Sequence, residues 1–213
     1  MTNPALASSS SREISFTKKY KSHKIPKAGR GNFYPFVFSD IMGLEDGSGR
    51  GTSVEDIKLA LNGHMMEGYT FNPVSPLSRG DRFYNPSPSA DDKVHVLVWV
   101  CSANITHINA SVLRKASDIR EAASDMGIPQ LAIVTKVDEA CGETDQDLKN
   151  VYKSKHIKKK MAAVSSALGI PLNCILPVKN YSKETFLEDD VDSLILNALR
   201  LMIDMGDDFI SNM

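Results

Sequence analysis

Short apolar runs recur along this chain, and between the later ones the apolar residues fall into steps of three and four. Runs of that length bounded by turn residues read as buried strands, and steps of three and four read as one helical face. Phe33 to Asp40 (FYPFVFSD) predicts a buried strand, with Pro35 near its start where a missing N–H is tolerated. Val94 to Cys101 (VHVLVWVC), Leu131 to Thr135 (LAIVT) and Cys174 to Val178 (CILPV) predict three more. Upstream, residues 13–25 mix Ile, Phe, Thr and Tyr with lysines, which suits an edge strand.

Helices are expected between and after these strands. Ser53 to His64 has a cap-like Ser and acids in its first turn. Across 109–126, Val112, Ala116, Ile119, Ala123 and Met126 share one face, and Gly127 and Pro129 end it. A helix is predicted over about 145–168 with Ile157, Met161, Val164 and Leu168 on one face, and a last one over about 190–206, stopped by Gly206. Gly43 to Gly51 is glycine-rich and expected to be mobile, and 69–93 is a long proline-containing loop. Buried strands alternating with amphipathic helices predict an α/β fold with a mostly parallel sheet between helical layers. We expect an irregular segment over 1–12, one domain over 13–206 and a tail over 207–213.

Composition narrows this little. The 213 residues carry a formal net charge of -1, so bulk charge does not point to nucleic acid or membrane as a partner. The start is polar and lacks a signal-peptide core, and no apolar run approaches the ~20 residues of a membrane span. Cys101, Cys141 and Cys174 show neither disulfide nor zinc spacing, which favours a reducing compartment.

Ligands of open parallel sheets bind beyond the carboxyl ends of the strands. Asp40-Ile41-Met42-Gly43 (DxxG) follows the first buried run and Thr135-Lys136-Val137-Asp138 (TKxD) the third, with Lys179 and Asn180 after the last. Either motif alone is weak; both, in this order and each ending a strand, are far more specific. Their chemistry suits a guanine nucleotide. A carboxylate such as Asp138 can accept from the guanine N1–H and exocyclic amine, a donor pair adenine lacks. The Lys136 stem can lie along the base. Asp40 suits Mg²⁺, which takes few protein carboxylates. Gly43 lets a backbone N–H approach a γ-phosphate with no side chain in the way.

These motifs, with FTKKYKSHKI, PFVFSDIMGLED, GHMMEGYTFNPVSP, LGIP and PVKNYSKE, resemble the GTPase superfamily and, more closely, the interferon-induced protein 44 family, from about residue 15 to 206. The resemblance implies a cytoplasmic, interferon-inducible protein of antiviral and immune defence, with GTP or GDP and Mg²⁺ as cofactors. It implies cofactor contacts from Asp40, Gly43, Thr135, Lys136, Asp138 and Lys179, Asp40 doubling as metal ligand. A switch Ser or Thr is expected among Ser8 to Ser11 or at Thr17.

Two departures limit the analogy. The 213 residues contain no GxxxxGK[ST] loop, which in such folds supplies most phosphate contacts. The strand before that loop is central in the GTPase fold, so the expectation is a GTPase-like sheet lacking its first strand, as in a fragment of a longer protein, with GTP binding weak or lost. Leu44 stands where many GTPases carry a water-orienting Gln, and no residue is assigned a catalytic role. A nucleotide-independent interaction module with a protein partner, and an unrelated α/β enzyme, remain as alternatives.

Blander readings hold elsewhere. Lys153, Lys155, Lys158, Lys159 and Lys160 read as one wet helix face, Arg79-Gly80-Asp81 as chance, and His95 and Trp99 as core.

Overall fold

The computed structural model describes residues 17–29, 31–47 and 49–213. Ser8 to Ser11, and the first residues of the predicted edge strand, lie outside them. The fold is α/β, and the chain divides into two compact units. The described residues up to Val94, with Asn109–Ile119, form the first; His95–Ile108 with Arg120–Met213 form the second.

In the first unit, β1 (Lys21–Pro26) and β2 (Phe33–Asp40) pair antiparallel, Lys21 opposite Asp40. Helix α1 (Val54–Leu61) starts where the sequence predicts: the Ser53 hydroxyl accepts from the Asp56 N–H at 3.0 Å. Tyr20, Met42, Ala60, Met65, Tyr69, Phe71 and Leu77 make the core. Much of it comes from the long loop, which is pinned through the Leu77 N–H on the buried Asp56 carboxylate, 2.8 Å away.

The expectation that Phe33 to Asp40 is buried is wrong. Phe33, Tyr34 and Val37 are each about half exposed. Sheet residues are buried only when layers cover both faces, and among the described residues β2 has one ladder partner, β1. Its aromatics pack along their own strand instead: the Phe36 ring lies 5.8 Å from both Tyr34 and Phe38.

In the second unit, β3 (Leu97–Ser102), β4 (Gln130–Thr135) and β5 (Ile175–Val178) form a parallel sheet in that order. Leu131, Ala132 and Val134 are fully buried at its centre. β3 begins later than the apolar run suggests and is only half-buried, with Val100 67% exposed, because it is an edge strand. Helix α2 (Ala110–Asp125), whose residues to Ile119 belong to the first unit and the rest to the second, buries the predicted face through Ala116, Ile119 and Ala123.

Two helix boundaries differ from expectation. Of the helix predicted over 145–168, the part from Lys155 forms as α5 (Lys155–Leu168) and ends at Gly169; ahead of it lie a turn α3 (Val137–Ala140), a short α4 (Gly142–Gln146) and a 3₁₀ turn (Leu148–Asn150). Side chains that bond the backbone locally compete with a helix: the Asp147 carboxylate accepts from the Lys149 N–H, and the Ser154 hydroxyl caps α5 at the Ile157 N–H. The last helix, α6 (Asp189–Ser211), runs through Gly206 instead of stopping there. Gly206 is buried, and a Cβ on it would stand 3.3 Å from a Val96 methyl, so it serves close packing. α5 and α6 both pack on β5.

Candidate functional site

The three parallel strands of the second unit end in register, Ser102 beside Thr135 and Thr135 beside Val178. This brings the residues after β4 and β5, hence Thr135, Lys136, Asp138 and Lys179, to one end of one sheet. The Thr135 hydroxyl donates to the Cys101 carbonyl at 3.3 Å, and its own carbonyl accepts from the Ala103 N–H at 2.8 Å.

Lys136 has φ 60 and ψ 37, the one non-glycine with positive φ among the described residues. A left-handed residue with a Cβ costs roughly 1–2 kcal/mol, and such outliers persist where the surroundings over-determine them, often at functional sites. The turn passes the chain from strand to helix without a loop. Fully buried Val137 anchors it, and Asp138 and Glu139 are left on the first turn of α3. The Lys136 ammonium lies 3.7 Å from the Glu139 carboxylate, which also accepts from the Asn104 amide at 2.8 Å.

Lys179 is mostly buried and pairs at 2.8 Å with Glu184, itself 11% exposed in its side chain. The other Glu184 oxygen accepts from the Ser182 and Lys183 N–H groups. The Lys179 ammonium first, and those N–H groups next, pull the Glu184 carboxyl down to about 2. Glu184 in turn raises Lys179, with Asp138 adding to the field. A depressed carboxyl contributes stability that is fully present above its ordinary value of 4.5 and is lost as pH falls toward 2. Glu184→Gln should therefore be less stable than the parent at neutral pH, with the gap closing between pH 4.5 and 2. Urea melts across that window give the answer, and a pH-independent gap would show that the pair does not matter.

Asp40 and Gly43 belong to the first unit. At the end of β2 the Thr17 hydroxyl donates to the Asp40 carboxylate at 3.0 Å. Of the expected switch residues, Thr17 is the one among the described residues, and it lies beside the acid. The loop from Gly43 to Gly51, expected to be mobile, is closed by a bridge between Leu44 and Gly51 and by the Thr52 N–H on the Gly43 carbonyl at 3.0 Å. The Lys115 ammonium donates to the carbonyls of Glu45 (3.0 Å), Gly47 (3.2 Å) and Arg50 (3.0 Å), using all three of its N–H groups. The Ser111 hydroxyl donates to Asp46. Sequence reasoning missed Glu184, Asn104 and Lys115. Glu184 is five residues from Lys179 and could have been noticed; Lys115 is 65 to 70 positions from the carbonyls it holds and carries no local signal.

Among the described residues no cluster of three or more His, Cys, Asp or Glu is placed to hold a metal ion, and no helix is long and apolar enough to cross a membrane. A Mg²⁺ site with few protein ligands fits what Asp40 and Thr17 offer, one carboxylate and one hydroxyl.

The chain is similar to interferon-induced protein 44-like of Homo sapiens, 33% identical over 201 residues, covering 93% of this chain and 44% of the relative. It is similar to interferon-induced protein 44 of Pan troglodytes, 32% identical over 214 residues, covering 100% of this chain and 48% of the relative. Interferon-induced protein 44 of Mus musculus is 29% identical over 202 residues, covering 94% and 47%. The chain spans about half the length of these relatives. No family model and no solved structure matches it.

Proposed function

We propose that this chain, which belongs to the interferon-induced protein 44 family, is the base-recognising part of a guanine-nucleotide-binding domain in an interferon-inducible protein of the immune response. We place it in the cytoplasm and tie it to antiviral defence.

The observation that carries the reading is the strained turn at Lys136, which sets Asp138 at the carboxyl end of a parallel sheet. In this reading the Asp138 carboxylate accepts from the guanine N1–H and amine. The Lys136 stem lies along the base, Thr135 holds the strand end, and the backbone at Lys179 closes the site. Asp40 and Thr17 would hold Mg²⁺, which would offset phosphate charge, and the N–H of Gly43 would meet a γ-phosphate. Leu44 cannot hydrogen-bond a water, so the reading is binding without efficient hydrolysis.

Most GTP affinity in such folds comes from the phosphate-binding loop, and these 213 residues contain no GxxxxGK[ST]. Calorimetry on this chain is expected to give a GTP dissociation constant on the order of millimolar or weaker; a micromolar value would refute that part. In a longer form that carries such a loop, Asp138→Asn should weaken GTP binding by ~2–4 kcal/mol, because buried donors of the base lose their acceptor. The variant should favour the xanthine nucleotide. Equal GTP affinity in variant and parent would end the base-reading assignment.

A second reading, an interaction module that needs no nucleotide, is favoured by the edge of β2 that pairs with no strand among the described residues, and by its half-exposed Phe33, Tyr34 and Val37. A strand edge of that kind can take up an extended segment of a protein partner. Failure of a loop-bearing longer form to bind any guanine nucleotide would select it.

A further inference from the structure

Three backbone carbonyls of the loop after Gly43 converge on one atom. The oxygens of Glu45, Gly47 and Arg50 lie 3.0, 3.2 and 3.0 Å from the Lys115 nitrogen. Lys115 stands on the part of α2 that belongs, with this loop, to the first unit. Carbonyl oxygens carry partial negative charge, so several that face one point form a place for a cation, as they do where backbone carbonyls replace an ion's hydration shell.

A second contact fixes the same loop on the same helix. The Gly47 N–H donates to the Ser111 hydroxyl at 3.4 Å, and that hydroxyl donates to the Asp46 carboxylate. Ser111 and Lys115 are one helical turn apart and share a face of α2. Gly47 itself has φ 94, a backbone conformation that glycine adopts without the penalty of a side chain.

The distances select the kind of cation. Protein oxygens stand about 2.0–2.1 Å from Mg²⁺ and about 2.3–2.6 Å from Ca²⁺. Separations of 3.0 to 3.2 Å are those of N–H···O hydrogen bonds, and an ammonium group has three N–H donors for the three acceptors. We propose that the Glu45, Gly47 and Arg50 carbonyls form a binding site for an ammonium cation, which the chain fills with its own Lys115, and that filling this site is what orders the loop after Gly43. The site is independent of the nucleotide reading, because its occupant and its readout both belong to this loop and α2. Removing the ammonium takes away the charge and three donors at once. The closure formed by the Leu44–Gly51 bridge and the Thr52 N–H on the Gly43 carbonyl then loses its support.

The test has one arm on the parent chain and one on variants. In the parent, brief acetylation by an N-hydroxysuccinimide ester followed by peptide mass spectrometry should find Lys115 modified about tenfold more slowly than Lys149, whose side chain is 70% exposed, because the Lys115 nitrogen must leave its acceptors to react. In Lys115→Ala, amide hydrogen exchange over 43–52 should be about tenfold faster than in the parent, with exchange over 131–135 unchanged. Propylammonium, which replaces the atoms removed, should restore the protection; tetramethylammonium, of equal charge but without N–H groups, should not. If Lys115→Ala loses its packing by near-ultraviolet circular dichroism, Lys115→Met keeps the apolar stem and should show the same local rise in exchange. Equal acetylation of Lys115 and Lys149 would overturn the proposal. So would exchange over 43–52 unmoved by loss of the ammonium, no response to propylammonium, or equal rescue by both cations.

Discussion

Gly51→Ala is expected to destabilise the chain by about 2–5 kcal/mol. Gly51 has φ 64, where an alanine is strained by roughly 1–2 kcal/mol. Its added Cβ would also stand 2.4 Å from the Glu45 nitrogen and 2.7 Å from the Gly43 oxygen. Both are backbone atoms, and overpacking without a flexible neighbour to yield costs a further ~1–3 kcal/mol. Neither atom can withdraw cheaply. The Gly43 carbonyl is bound by the Thr52 N–H, the Thr52 hydroxyl bonds the Met42 carbonyl, and Lys115 grips three carbonyls of the loop. Gly80→Ala is the control, because that glycine has open space around it and lacks a positive φ. Urea melts of the two variants decide it. A Gly51→Ala loss as small as the control's would show that the loop after Asp40 is not held as described.

Asp56→Ala is expected to cost about 3 kcal/mol, because the carboxylate is fully buried and organises groups distant in sequence. One oxygen accepts from the Leu77 N–H at 2.8 Å, and the Tyr69 hydroxyl lies 3.4 and 3.5 Å from the two oxygens. Removing the carboxylate leaves a buried N–H without an acceptor and cuts the long loop from its anchor. Asp56→Asn keeps an acceptor for Leu77 and should retain a good part of the stability. Burial raises the Asp56 carboxyl above its ordinary 3.8, so the parent's stability from this group is present at low pH and falls as pH rises through the raised value. The Asn variant lacks that fall, and the gap between the two should narrow toward neutral pH. Thermal melts of both variants at acid and neutral pH test the pair. An Ala variant within about 0.5 kcal/mol of the parent would mean that the loop has another anchor.

What the sequence determined by itself is what depends on neighbours along the chain. The face of α2 through Ala116, Ile119 and Ala123, the cap at Ser53, the strand that ends at Thr135 and the placement of DxxG and TKxD behind apolar runs were all legible, because helical period, capping and strand length are local properties. The tertiary structure decided whatever depends on what lies across from a residue. FYPFVFSD has the composition of a buried strand, yet β2 is largely exposed, and among the described residues one strand pairs with it. Gly206 has the identity of a helix stop, yet the helix passes through it, and a Cβ there would stand only 3.3 Å from a Val96 methyl, so the glycine serves close packing instead. The Lys115 cradle, the Lys179–Glu184 pair and the contact of Thr17 with Asp40 are likewise meetings in space. A charged side chain reads in sequence as solvated surface, and only the fold supplies the carbonyls or the counter-charge that give it a specific place.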